Sequence, residues 1–377
     1  MKIVIWNRLP WSIVVIVAAL IMFSLLGIAR CEQFIGTRDG LVRQQIIWCI
    51  VAGVAATLFC VPNYRVLCPF SYVAFGCVLL LLVVVYFFPP INGAHRWIRV
   101  GPLGLQPSEL AKIVFVVALS RYLMYRENFR RPLGLLAPLV LVLVPVLLIL
   151  REPDLGTALV FIPVLLLMLF AAGARRRDLA LVLFSGLLTL PVLWSQMSRE
   201  QRSRVTAMVE QTAPGQRPTA DGFHLHQAKK MLALGGVWGS FWSGEPVEDR
   251  SIYRVPEPAT DSIVVVLGER YGLVSVGLLL LLYVALVWRG LVIAEATREP
   301  FGRLVATGIV SLFAVEVVIN TAMMVGLLPV TGLSLPLVSY GGSGLLAHGL
   351  AIGLLLNIGL RPGYELTNEP FRFVSSE

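Results

Sequence analysis

The chain has 377 residues, is 57% hydrophobic and only 14% charged, and carries a formal net charge of +9. With a mean hydropathy of +0.80 it lies far from the balance of a water-soluble domain and reads as an all-α integral membrane protein, a polytopic helical bundle. The basic excess suits anionic lipid, and without a basic block interleaved with aromatics it excludes a nucleic-acid partner.

A spanning helix takes about 20 mostly apolar residues, and ten stretches are read as spans: 11–29, 45–61, 70–89, 108–124, 134–150, 154–173, 179–194, 262–288, 304–327 and 337–360. The first is followed by further spans and not by a soluble mature domain, so it reads as a retained helix rather than a cleaved signal. Ten is even, which puts both termini on one side. With the N-terminus inside, the inner segments hold fourteen Lys and Arg near the span ends and the short outer loops hold six. Both termini are therefore expected in the cytoplasm. The organisation predicted is one membrane domain over 1–377 with a single long extracytoplasmic loop over 195–261.

The five cysteines, Cys31, Cys49, Cys60, Cys68 and Cys77, form no CxxC pair and fall in or beside apolar runs. They predict neither disulfides nor zinc. His224 and His226 form an isolated HLH and His348 lies in the last span; without a third ligand at usable spacing they predict no metal site.

The loop before the fourth span reads INGAHRWIRVGPLGLQPSELAK. Glu109 and Lys112, three residues apart on one helix face, can neutralise each other just inside the membrane, as a structural pair or a functional one. Arg96 and Arg99 flank Trp97, where they can anchor the loop or hold a phosphate. The next outer turn, LREPDLGTALVF, brings Arg151, Glu152 and Asp154 to a helix start, and Asp154 reads as its N-terminal cap.

The segment from Ser195 to Thr260 is too small for a large core of its own. Its stretch DGFHLHQAKKMLALGGVWGSFWSG pairs a polar start with Met231, Leu232, Leu234, Trp238, Phe241 and Trp242, which suits either the membrane interface or a plain surface loop. At its end, VPEPATDSIVVVLGER places Asp261 at the mouth of an apolar helix and Glu269 two turns deeper. A carboxylate at the bilayer centre costs about 2.5–3.5 kcal/mol, so both are functional candidates. In GLLPVTGLSLPLVSYGGSGLL the Pro and Gly spacing breaks helical regularity at membrane depth, tolerated where backbone is buried in protein or faces a watery cavity. Ser339 and Ser343 of this element are candidate substrate contacts.

Two classes fit these residues. One is an enzyme acting on a lipid-linked substrate at the outer leaflet, with Asp261 as general base and Arg or Lys holding a phosphate-rich leaving group. A leaving diphosphate is already a stabilised anion, so one base suffices without the second carboxylate of hydrolytic glycosidases. The other is a transporter or flippase in which Glu109, Lys112 and Glu269 relay protons or contact a headgroup. Coupling residues of transporters lie near the midplane of related halves; here the polar residues gather at the outer edge, which favours the enzyme.

GAHRWIRVGPLGLQPSELAK, REPDLGTALV, VPEPATDSIVVVLGE and GLLPVTGLSLPLVSYGGSGLL, in this order over about residues 10–362, resemble the shape, elongation, division and sporulation (SEDS) proteins typified by RodA and FtsW. The resemblance implies a peptidoglycan glycosyltransferase that polymerises lipid II at the outer face of the bacterial cytoplasmic membrane and releases undecaprenyl pyrophosphate. It implies a class B penicillin-binding transpeptidase and other elongation or division proteins as partners. No cofactor is assigned, a divalent cation being optional. Asp261 matches the family's essential aspartate. Trp97, Glu109 and Lys112 match sensitive positions, and Arg96 a basic residue near pyrophosphate. Glu269, Ser339 and Ser343 complete the expected substrate contacts. The chain departs from the family around the base: Ala259 stands for the usual His, Ser262 and Val264 for aromatics, Arg270 for a second Glu and Gly344 for Ser. A flippase, or an impaired scaffold of the cell-wall complex, is the alternative. The wording EPDLGTALV and LPLVSYGG leans to the elongation type.

Overall fold

The computed structural model describes residues 9–35, 40–90, 94–100, 103–125, 132–197, 199–210, 220–243 and 255–363. In chain order the helices are α1 (Trp11–Ile35), α2 (Leu41–Cys60), α3 (Leu67–Val84), α4 (Pro107–Tyr125), α5 (Leu136–Arg151), α6 (Leu155–Ala171), α7 (Arg176–Gln196), α8 (Arg199–Glu210), α9 (Ala220–Gly235), α10 (Ser240–Ser243), α11 (Ile263–Ala296), α12 (Pro300–Val325) and α13 (Gly342–Leu360). Between α3 and α4 lies one antiparallel hairpin, β1 (Ile98–Val100) with β2 (Leu103–Leu105), in the register Ile98 to Leu105 and Arg99 to Gly104.

Among the described residues, six stretches are long and apolar enough to cross a membrane: Trp11–Gln33, Leu41–Cys60, Tyr64–Phe87, Ile263–Ala296, Pro300–Val325 and Gly342–Leu360. The other four predicted spans coincide with α4, α5, α6 and α7. Of these α5 and α6 are short apolar helices, and α4 carries Glu109, Lys112 and Arg121. The count of ten thus rests on these four. Of the charges that set the predicted sidedness, Lys2, Arg8, Arg38, Arg126, Arg130, Arg131 and Arg372 lie outside the described residues.

Helix α12 lies at the centre, packed on α4, α6, α11 and α13, with Ile309, Phe313 and Met323 fully buried or nearly so. Val15, Leu58, Leu80 and Leu281 point outward and are exposed in the isolated chain, as side chains facing lipid tails are. Helices α13 and α2 cross closely. A Cβ on Gly349 would lie 2.7 Å from the Ala52 carbonyl oxygen, and one on Gly353 2.4 Å from that of Ala56. Small residues four apart on each partner permit the approach.

The expected loop over 195–261 is largely helical where described. α9 packs along α11 and α12, burying Leu225, Ala228 and Met231, while Leu234, Trp238, Phe241 and Trp242 stay exposed. The polar face hid this, because its buried stripe is narrow. α11 is broken at Gly272, whose φ is 76°. There the Leu273 amide donates to Gly236 O at 2.9 Å and the Val274 amide to Val237 O at 3.3 Å. Amides released by the break are satisfied by the 235–239 turn, and Ser275 Oγ bonds the Leu267 and Gly272 carbonyls, as a kink at membrane depth requires.

Candidate active site

A cavity of about 960 Å³ opens between the hairpin, the turn before α6, helices α8 and α9, the turn before α11 and the 330–345 segment. Asp261, Arg96, Trp97, Glu109 and Ser339 all line it. Lys112, Glu269 and Ser343, also expected at the site, do not.

Asp261 sits in a turn tied residue by residue to its surroundings. The Tyr340 amide donates to Ala259 O at 2.8 Å, Ser339 Oγ donates to Thr260 O, and Asn320 Nδ2 donates to Asp261 O at 3.0 Å. On the next residue, Ser262 Oγ lies 2.8 Å from His224 Nε2. Glu257 and Leu337, at φ 46° and 64°, hold left-handed backbone in the two segments that meet here, a cost of about 1–3 kcal/mol each that surrounding bonds must offset. Burial pushes the Asp261 carboxyl up to about 7, and the like charges of Glu257 and Asp154 add to the rise. A carboxyl poised near neutral pH suits proton transfer.

Ser339 was expected to meet substrate. Its hydroxyl is instead engaged by the Thr260 carbonyl and by the Leu335 amide at 2.7 Å, so it holds the turn of Asp261. Ser343 accepts from the Gln106 amide at 2.8 Å and fixes the start of α4. Glu269 is fully buried and paired with Arg30 at 3.3 Å, joining α11 to α1 away from the cavity.

Lys112 Nζ lies 2.9 Å from Glu109 Oε1, the pair read from spacing. It also bonds Glu316, whose carboxylate accepts from His348 Nε2 at 2.8 Å. Glu109, Glu316 and His348 bring ligand atoms within 4.8 Å of one another. The Lys112 ammonium bonds both carboxylates, so the chain's own cation fills the role a metal would take, and the cluster does not fit a resident ion. Glu316 and Asn320 escaped the sequence reading although each is a polar residue within an apolar run, a signal that was there to use.

Arg96 donates to Glu152 O at 3.0 Å and to Pro153 O, which sets its guanidinium at the cavity rim. Asp154 caps α6 as expected, accepting from the Thr157 amide at 3.1 Å and from its hydroxyl at 2.9 Å, and takes Gln106 Nε2 at 3.3 Å. Among the described residues the buried Glu152 carboxyl has no hydrogen-bond partner; burial and then Asp154 push it up to about 8, so it stays protonated at neutral pH. Trp97 lies against Gly104, where a Cβ would meet its ring at 3.3 Å. Arg99 and Arg204 bring two further cations to the wall.

A family model of cell cycle proteins, covering FtsW, RodA and SpoVE, matches residues 7–361. A probable peptidoglycan glycosyltransferase FtsW of Geobacter sulfurreducens is 34% identical over 370 residues, covering 94% of this chain and 96% of its own. The peptidoglycan glycosyltransferase MrdB of Escherichia coli K12 is 32% identical over 358 residues, 94% of each chain. A chain of a solved peptidoglycan synthase complex, in which polymerization and crosslinking are structurally coordinated, matches with a TM-score of 0.79 at 31% identity, over 93% of this chain and 97% of that one.

Proposed function

The chain belongs to the FtsW, RodA and SpoVE family of cell cycle proteins, and from that premise we propose how it acts as a peptidoglycan glycosyltransferase, with Asp261 as general base. The observation that carries this reading is the turn of Asp261: three successive carbonyls held from two elements, and a carboxyl raised to about 7 at the cavity wall.

In the reaction the Asp261 carboxylate takes the proton of an acceptor sugar hydroxyl. The hydroxyl oxygen attacks the anomeric carbon of a lipid-linked donor, and the bond from that carbon to the diphosphate oxygen breaks. The diphosphate leaves with its electron pair, and Arg96, Arg99 and Arg204 on the cavity wall stabilise the developing anion. A donor of the lipid II type fits this chemistry, because its leaving group needs no acid and its polyprenyl chain lies in the bilayer beside the cavity.

The sidedness read from the Lys and Arg distribution puts the cavity outside the cytoplasmic membrane and both termini inside. A class B penicillin-binding transpeptidase is the partner we assign, supported by the likeness to a chain of a synthase complex. Identities of 34% to an FtsW and 32% to MrdB are too close for the motif wording to separate division from elongation. All three relay residues of the carrier alternative are held in ion pairs, Glu109 and Lys112 with each other, Lys112 also with Glu316, and Glu269 with Arg30.

The test is purified protein, with its transpeptidase and with or without magnesium, given fluorescent lipid II in detergent. A ladder of glycan strands is expected on a gel. Movement of lipid II across liposomes with no ladder would support a carrier instead.

A further inference from the structure

We propose that His224 is a positioning residue for Asp261, acting through Ser262. The proposal rests on Asp261 being the base. Helix α9 carries His224 into the cavity wall, where its Nε2 lies 2.8 Å from Ser262 Oγ. The same hydroxyl donates to Pro256 O at 3.3 Å. A serine hydroxyl has one proton; with that proton on Pro256 O, the oxygen accepts from a His224 imidazole protonated at Nε2. The Ser262 amide also donates to Glu257 O at 3.3 Å, so one serine closes the turn from 256 to 262 and ties it to α9.

This tie differs from the others that hold the turn. Those of Ala259, Thr260 and Asp261 come from Tyr340, Ser339 and Asn320, in the 335–340 segment and α12. The His224 tie comes from α9, so the aim of the carboxylate depends on how that helix is docked. Burial lowers the His224 imidazole to about 4, with Arg204 adding to the fall. It is therefore neutral throughout the range in which Asp261 titrates and acts by position, not by charge. The charged groups facing Asp261 are Glu257 on its own turn, Asp154 at the start of α6 and Arg204 on α8.

The experiment measures the glycan polymerisation rate against pH and lipid II concentration for wild type, Asp261→Asn, His224→Ala, His224→Gln, Ser262→Ala and the His224→Ala/Ser262→Ala pair. An inert wild type overturns the base reading itself. With wild type active and Asp261→Asn inert, His224→Ala should lower kcat about tenfold with KM within about twofold. Its acid limb should move below the wild-type limb, because water reaches the carboxyl more freely. His224→Gln, whose amide N–H can reach Ser262 Oγ, should regain most of the rate. Ser262→Ala should add no further loss to His224→Ala. Wild-type kcat and limb in His224→Ala, or losses that multiply in the pair, overturn the proposal. If His224→Ala does not fold, His224→Gln near wild type with Ser262→Ala about tenfold down supports it, and both unchanged overturns it.

Discussion

Asn320 Nδ2 donates to the backbone oxygen of Asp261 at 3.0 Å and to that of Leu333 at 2.6 Å, so one buried amide on α12 clamps the turn of Asp261 to the 330–340 segment. Replacing it with Leu orphans two carbonyls, at about 1–3 kcal/mol for each one left dry. Asn320→Leu should lower the thermal midpoint by several degrees and slow polymerisation at least about tenfold. Differential scanning fluorimetry and the rate on lipid II check this, and a wild-type rate would show the clamp to be idle.

Because the carboxyl of Asp261 is raised to about 7, the proposed base is mostly deprotonated above that pH and mostly protonated below it. Rate at limiting substrate should fall about tenfold per pH unit below it. Glu257→Gln removes a like charge and should shift the limb to lower pH. The stability sign is opposite. The folded state keeps the proton while the unfolded carboxyl has lost it, so this group's contribution is full below the ordinary Asp range and is lost as pH rises through about 7. A limb unmoved in Glu257→Gln would show that Glu257 does not act on the base.

Removing Lys112 leaves Glu109 and Glu316 buried without their shared cation. Lys112→Met should cost about 3–5 kcal/mol and yield little folded protein. Adding Glu316→Gln removes one orphaned charge and should recover part of the yield, measured by size-exclusion chromatography. A double variant no better than the single one contradicts the charge-balanced network.

Gly272→Ala forces a Cβ to 2.1 Å from Val237 O at a φ of 76°, where an L side chain is strained. The variant should release the 235–239 turn from α11. Protease cleavage between α9 and α11 should rise at least about threefold over wild type, reflecting a local opening made easier. Unchanged cleavage would mean that the turn is held elsewhere.

Much of the site was legible because it is local. Glu109 and Lys112 share a helix face at three residues' spacing, Asp154 sits where a cap must, and Asp261 stands at the polar end of an apolar run. What escaped was carried by distance in sequence. Lys112 meets Glu316 across 204 residues and Glu269 meets Arg30 across 239, so no periodicity could pair them. The break at Gly272 was invisible because a lone glycine is tolerated inside a helical run, and the carbonyls of Gly236 and Val237 that take up the freed amides lie in another segment. The bond from Ser339 to the Thr260 carbonyl joins two distant segments in the same way.

The central claim is that Asp261 takes the acceptor proton. The most direct measurement is the initial rate of lipid II polymerisation by wild type and by Asp261→Asn, each checked for an unchanged thermal midpoint and for binding of its transpeptidase. A loss of at least about a hundredfold is expected, since a positioned base contributes about 10²–10⁴ in rate. A folded, partner-bound Asp261→Asn that polymerises at the wild-type rate would contradict it.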